Sequence, residues 1–261
     1  MARMTGFEGV MVQFSWPSQG ALAQYGADVT NMHWNERHFK TFLAMLAAQD
    51  WAKDIVLVSH SLGVRLLIPA IEYVDQYSTN ADASNISNII LLSPDTDRQE
   101  FEKRIVDEVL TKSRVDKGRR VTIYLSAKDQ ALALSSTVHG YPRLGSTRCF
   151  DPFEAADLKK RGLPVRCYTA PLKYDIAPTQ RGLIIIDTAA VSKGVSGHND
   201  FRKSAAACID FAAVVNGARH PSGRALTHLD HVFTLKPSPK GVKTDDIAAC
   251  KISSPSLAEP N

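Results

Sequence analysis

Apolar residues fall along this chain in short dense runs separated by longer stretches of helical spacing. The runs cover residues 9–15 (Gly-Val-Met-Val-Gln-Phe-Ser), 55–58 (Ile-Val-Leu-Val), 89–92 (Ile-Ile-Leu-Leu), 121–126 (Val-Thr-Ile-Tyr-Leu-Ser) and 182–188 (Gly-Leu-Ile-Ile-Ile-Asp-Thr). Each reads as a strand, and 55–58 is too continuously apolar to keep a solvent face, as a central parallel strand requires. Between the runs, 24–50 reads as mostly helix, with Phe39, Phe42, Leu43, Leu46 and Ala47 recurring at helical spacing in its second part. A second helix is expected over 62–77, with Pro69 kinking it or ending its first segment. Further helices are expected over 99–112 (Phe101, Ile105, Val109 and Leu110 on one face), from 131 and over about 201–215, the last closed by Asn216-Gly217. Strands alternating with helices at this pace predict an α/β fold of three layers around a mostly parallel sheet.

One stretch breaks the rhythm. Residues 146–181 show little periodicity; they read either as a lid or binding loop or as a surface excursion with two short helices. From residue 218 onward Pro, Ser, Lys and Gly increase and periodicity fades, so 1–237 is read as one domain and 238–261 as a loosely ordered tail. A chain of 261 residues suits a single large domain.

Composition narrows the classes. The sequence is 44% hydrophobic and 22% charged, with 31 basic against 27 acidic residues, an ordinary globular balance. No basic stripe is interleaved with aromatics, which argues against nucleic acid as a partner. No apolar run approaches the ~20 residues of a transmembrane helix. No signal peptide is visible at the N-terminus, so a cytoplasmic setting is the default, with export left open. Cys149, Cys167, Cys208 and Cys250 lack metal or redox spacing, so no metal site is expected; Cys149 and Cys167 could pair in an exported protein.

The candidate chemistry gathers where strands end. Residues 55–65 (Ile-Val-Leu-Val-Ser-His-Ser-Leu-Gly-Val-Arg) run from a strand through a sharp small-residue turn into a helix. That is the layout of a nucleophile elbow, G-x-S-x-G, with Ser59 in the first glycine position and Ser61 as the nucleophile. The residues two before and two after the serine pack against each other, so both must be small. At the helix N-terminus, free N–H groups favour a developing oxyanion, and Leu62 N–H is the candidate donor. In an open α/β sheet ligands bind beyond the carboxyl ends of the strands. The other strands deliver Ser15-Trp16-Pro17-Ser18, Asp95 and Asp97, Asp129, and His198 to that edge.

A serine hydroxyl needs an imidazole to take its proton and a carboxylate to orient that imidazole. Asp129 is the candidate carboxylate, a reading preferred over its other one as the N-cap of the helix after it. Asp95 is the rival acid, although Pro94-Asp95 also reads as turn chemistry. His198, in Gly197-His198-Asn199-Asp200, is the candidate base among eight histidines. Trp16 and His60 are candidates for contact with substrate, although elbow geometry turns His60 away from Ser61 toward a neighbouring strand. Asp187 reads as a strand-end carboxylate.

Taken together, these stretches resemble the uncharacterised esterase/lipase-like branch of the α/β-hydrolases known as domain of unknown function 900. The resemblance rests on Phe14-Ser15-Trp16-Pro17-Ser18 with Gly20, Tyr25 and Asp28; on Ser59 through Arg65; on Leu91-Leu92-Ser93-Pro94-Asp95; on Tyr124-Leu125-Ser126 with Asp129, Ala131 and Leu132; on Arg143-Leu144-Gly145; and on Ile186-Asp187 with Gly197-His198. It implies a serine hydrolase acting on a carboxylic ester without a cofactor, with Ser61, Asp129 and His198 as its triad. Strand 9–15 would correspond to the fourth strand of that fold.

The family pattern also places another strand, ending in a His-Gly loop that supplies an oxyanion donor, ahead of Phe14. The sequence as given starts too near Phe14 to hold it. The expectation is therefore a fold lacking N-terminal strands, half an oxyanion hole, and an exposed apolar sheet edge open to self-association. Two other functions stay open on this reading: a catalytically impaired scaffold that binds a ligand, and an acyltransferase using the same triad. The identity of the ester or acyl substrate is not legible in the sequence.

Overall fold

Alternation within one strand sets the layering of the molecule. In β2 (Ile86–Leu92), Ile89 and Leu91 join one buried cluster and Ile90 and Leu92 another, because successive side chains leave a strand on opposite faces. A strand buried on both sides needs cover on both sides, and helices supply it. The computed structural model describes residues 2–77, 85–147, 152–162, 182–192, 197–229 and 232–237.

The sheet has six strands: β1 (Ile55–His60), β2, β3 (Arg120–Leu125), β4 (Leu183–Asp187), β5 (Leu226–Leu229) and β6 (Val232–Leu235). Their order is β1-β2-β3-β4-β6-β5, parallel throughout except for the antiparallel β5–β6 pair. On one face α2 (Tyr25–Ala47) packs along α3 (Val64–Tyr77), and α3 supplies Val64, Leu67, Ile68 and Ile71 to the core. On the other face α8 (Asp200–Lys203) and α9 (Ala205–Val215) bury Phe201, Phe211 and Val214, with the short α1 (Ala2–Thr5) resting on α9. The result is the expected three-layer, mostly parallel α/β architecture.

Several sequence expectations need correction. Residues 9–15 form no strand; Val10 is 76% exposed, and only Phe14 makes close ring contact, 4.8 Å from Phe39 and 5.5 Å from Phe42 of α2. β1 is instead an edge strand of the described sheet. The helix expected over 99–112 is three pieces: α4 (Arg98–Phe101), a π-helical stretch (Glu102–Val109) and α5 (Lys112–Asp116). Pro69 does not end a segment, since α3 runs through it. The region after 218 contains the β5–β6 pair, anchored where Arg224 meets Asp210 of α9 at 2.6 and 2.8 Å and Tyr124 donates to the same carboxylate at 2.7 Å. The helix expected from 131 is α6 (Gln130–His139).

Within 146–181, one helix, α7 (Pro152–Lys160), is described, while 148–151, 163–181 and the tail 238–261 lie outside the described residues. Cys149, Cys167 and Cys250 fall among these. Cys208, buried in α9, is disulfide-bonded, which the cysteine spacing did not suggest; its partner lies outside the described residues. No described helix is long and apolar enough to cross a membrane.

Candidate active site

The turn from β1 into α3 is strained where it carries the serine. Ser61 has φ 53°, a left-handed conformation that costs a residue with a β-carbon about 1–3 kcal/mol. It opens the 3-10 turn Ser61–Gly63, which runs directly into α3. A β-carbon on Gly63 would sit 3.1 Å from Ser59 Oγ, the close approach that requires small residues on both sides of the elbow. The elbow is tied to the loop after β2 by Asp95 N–H, which donates to the Ser61 carbonyl at 3.1 Å.

Asp129, wholly buried at the end of β3, uses its two oxygens differently. Oδ1 accepts from Leu132 N at 2.9 Å as the N-cap of α6. Oδ2 lies 2.8 Å from His198 Nδ1, and His198 Nε2 lies 3.0 Å from Ser61 Oγ. A carboxylate only accepts, so Nδ1 carries the proton and Nε2 is free to accept from the serine hydroxyl. The capping reading and the orienting reading of Asp129 are thus compatible. Gly197 makes the approach possible: it has φ +60°, and a β-carbon there would lie 2.7 Å from the Lys128 carbonyl carbon.

Asp95 sits on the other flank, in a different network. Its carboxylate accepts from Tyr25 Oη at 2.6 Å and Ser135 Oγ at 2.7 Å, and pairs with Arg65 at 3.2 Å. Arg65 also donates to the Asp95 carbonyl at 2.6 Å and to Tyr25 Oη at 2.9 Å, while His139 Nε2 lies 2.9 Å from the same hydroxyl. Burial, then the Asp95 charge, push the Tyr25 hydroxyl up to about 12, so it stays a neutral donor. Burial, then Arg65 and Arg143, lower His139 below the ordinary histidine value. Asp97 caps α4, accepting from Gln99 N at 2.8 Å and Glu100 N at 3.0 Å. Asp187 accepts from Ala189 N at 2.8 Å at the end of β4.

Trp16 is half-buried and packs with Leu62, Leu66 and Met32. The loop that presents it is clamped to α2 by Asp28, whose carboxylate accepts from Gln19 N at 2.6 Å and Ser18 Oγ at 2.9 Å. Burial opposes ionisation of Asp28, but these bonds outweigh it and hold the carboxyl below its usual range. His60 does not turn into a neighbouring strand as expected. Its Nε2 lies 3.0 Å from the carbonyl oxygen of His198. Sequence reasoning also missed Arg65 and Ser135 as partners of Asp95, and His139 as a partner of Tyr25 and Arg65 in the same network; nothing in the local spacing of these three marks them as neighbours.

Among the described residues, no group of three or more His, Cys, Asp or Glu side chains could hold a metal ion. Comparison with curated proteins and with solved structures returned no match. Residues 1–193 match a protein family described as "Alpha/beta hydrolase of unknown function (DUF900)", a stretch that includes Ser61 and Asp129 and ends before His198. With most of its length in that match and a hydrolase-type three-layer sheet beneath it, the chain belongs to the DUF900 family of alpha/beta hydrolases.

Proposed function

We propose that the protein is a serine hydrolase that cleaves a carboxylic ester through an acyl-enzyme. The observation that carries this reading is the relay from Asp129 through His198 to Ser61, with spacings of 2.8 and 3.0 Å. These are hydrogen-bond distances in an order that lets proton transfer accompany nucleophilic attack.

In the first half-reaction Ser61 Oγ attacks the ester carbonyl carbon as its proton passes to His198 Nε2. The imidazolium is stabilised by Asp129, which stays ionised. The oxyanion of the tetrahedral intermediate is met by Leu62 N–H, in the first turn after the nucleophile, where backbone N–H groups lack intrahelical acceptors. His198 then gives its proton to the leaving alkoxide, and the acyl group remains on Ser61. In the second half-reaction His198 takes a proton from water as the water oxygen attacks the acyl-enzyme carbonyl. The intermediate collapses with cleavage of the bond to Ser61 Oγ, His198 returns the proton to that oxygen, and the carboxylic acid leaves. Trp16, beside Leu62, offers an apolar wall for the acyl or alcohol part of a small ester.

The test is pre-steady-state turnover of a panel of chromogenic short- and medium-chain esters. A burst of about one equivalent of alcohol, absent in Ser61→Ala, is the expected result. Equal turnover by the two proteins would remove Ser61 from the reaction.

A further inference from the structure

We propose that His60, adjacent to the nucleophile in sequence, is a positioning residue that holds the general base His198 in place through its backbone and ring. The proposal rests on the reading of His198 as the base for Ser61. It begins with a donor and an acceptor. The His198 carbonyl can only accept, so the 3.0 Å contact with His60 Nε2 requires a proton on that nitrogen. The bond joins a residue fixed in the sheet, His60 being paired with Leu92 of β2, to the loop after β4 that carries the base.

Ring packing reinforces the bond. The His60 ring lies 4.7 Å from the His198 ring and 5.4 Å from that of Phe201, which in turn lies 5.9 Å from Phe211. A ladder of rings therefore runs from the core of α9 to the base. Burial and then the neighbouring His198 push the His60 imidazole down to about 4, against the opposing effects of its bond to the His198 carbonyl and of Asp129, with Arg202 adding to the lowering. His60 is thus a neutral donor at neutral pH, and it adds no like charge beside an imidazolium at His198. Nothing in this arrangement puts His60 on the substrate: its Nε2 is committed to the carbonyl and its ring lies between neighbours.

The experiment compares intact protein with His60→Phe, which keeps a ring without the donor, and His60→Gln, which keeps an N–H donor without the ring. The measured quantities are the stoichiometry and second-order rate of fluorophosphonate labelling, and kcat and KM on an ester. His60→Phe is expected to label to full stoichiometry about 10²-fold more slowly, with kcat reduced and KM unchanged, since small misplacement of a catalytic group costs on that order. His60→Gln is expected to recover most of that rate. A misfolded fraction would lower stoichiometry instead of the rate per site.

Labelling of His60→Phe at the native rate overturns the proposal. So does a raised KM with unchanged kcat, which would make His60 a substrate contact. Should His60→Phe fail to fold, nitrogen-15 NMR of the imidazoles in the native protein decides. A neutral His60 protonated on Nε2 at pH 5 supports the bond, and a His60 titrating at the ordinary histidine value overturns it. Absence of labelling in the native protein would instead defeat the acyl-enzyme reading itself.

Discussion

Gly197 and Lys128 approach so closely that a β-carbon on Gly197 would lie 2.7 Å from the carbonyl carbon and 2.8 Å from the carbonyl oxygen of Lys128. Each residue immediately precedes a member of the relay, so this backbone contact sets the spacing of Asp129 and His198. Gly197→Ala meets two obstacles, the contact and a φ of +60° that disfavours a side chain. We expect ester turnover to fall about 10²-fold or more as the loops part, while the sheet stays folded. Turnover and circular dichroism check this, and turnover within twofold of native would show that the contact does not govern the site.

The two carboxylates near Ser61 should separate cleanly on substitution. Asp129→Asn keeps the α6 cap but no longer stabilises the imidazolium, and the equivalent change in a well-studied triad lowers turnover by about 10⁴. Asp95→Asn leaves Arg65 without its full partner, so it should cost of the order of 3 kcal/mol of stability, seen in denaturant titration. Its turnover per folded molecule should stay within a few-fold. If Asp95→Asn abolishes turnover and Asp129→Asn does not, the roles are reversed.

Ser61 holds backbone strain at the position proposed for the nucleophile. Its φ of 53° suits glycine, so Ser61→Gly should raise stability by about 1 kcal/mol while eliminating turnover. Urea unfolding of the pair measures the difference. An unchanged or lower midpoint for Ser61→Gly would mean that the elbow stores no strain at this residue.

What was legible in the sequence tracks burial. β2, β3 and β4 announce themselves because both faces are covered, which forces dense apolar runs; β1, at the edge, buries Ile55 and Leu57 on one face and leaves Val56 and Val58 half-buried on the other. Residues 9–15 carry the same Val-Met-Val signal, but β propensity describes fit to a pleated, half-buried surface, and no described strand pairs with them. β5 and β6 were hidden for the opposite reason. At four residues each, with His228 and Thr234 interrupting the apolar positions, they fall below the length at which alternation stands out. Over eight residues a π-helical stretch cannot be told from an α-helix by spacing.

The site divides in the same way. Ser61, Asp129 and His198 could be singled out because topology delivers strand ends to one edge. The partners of Asp95 and the bond from His60 to His198 could not, since they depend on side-chain direction across up to 138 residues of chain.

Acid should weaken the fold through His60. Its folded-state value of about 4 lies below the ordinary 6.5, so the unfolded chain takes up the proton first as pH falls. Stability is therefore full above about pH 6.5, declines between there and pH 4, and levels off below, the whole effect being up to roughly 3 kcal/mol. His60→Phe should lose this component. Denaturant midpoints measured at pH 7 and pH 4.5 for both proteins provide the check, and an equal drop in the two would assign the acid sensitivity elsewhere.

The most direct measurement is mass-spectrometric mapping of the adduct formed with a fluorophosphonate. A nucleophilic Ser61 activated by His198 predicts a single covalent adduct on the peptide containing Ser61, lost in Ser61→Ala and strongly slowed in His198→Ala. An adduct on another residue, or no adduct in folded protein, would contradict it.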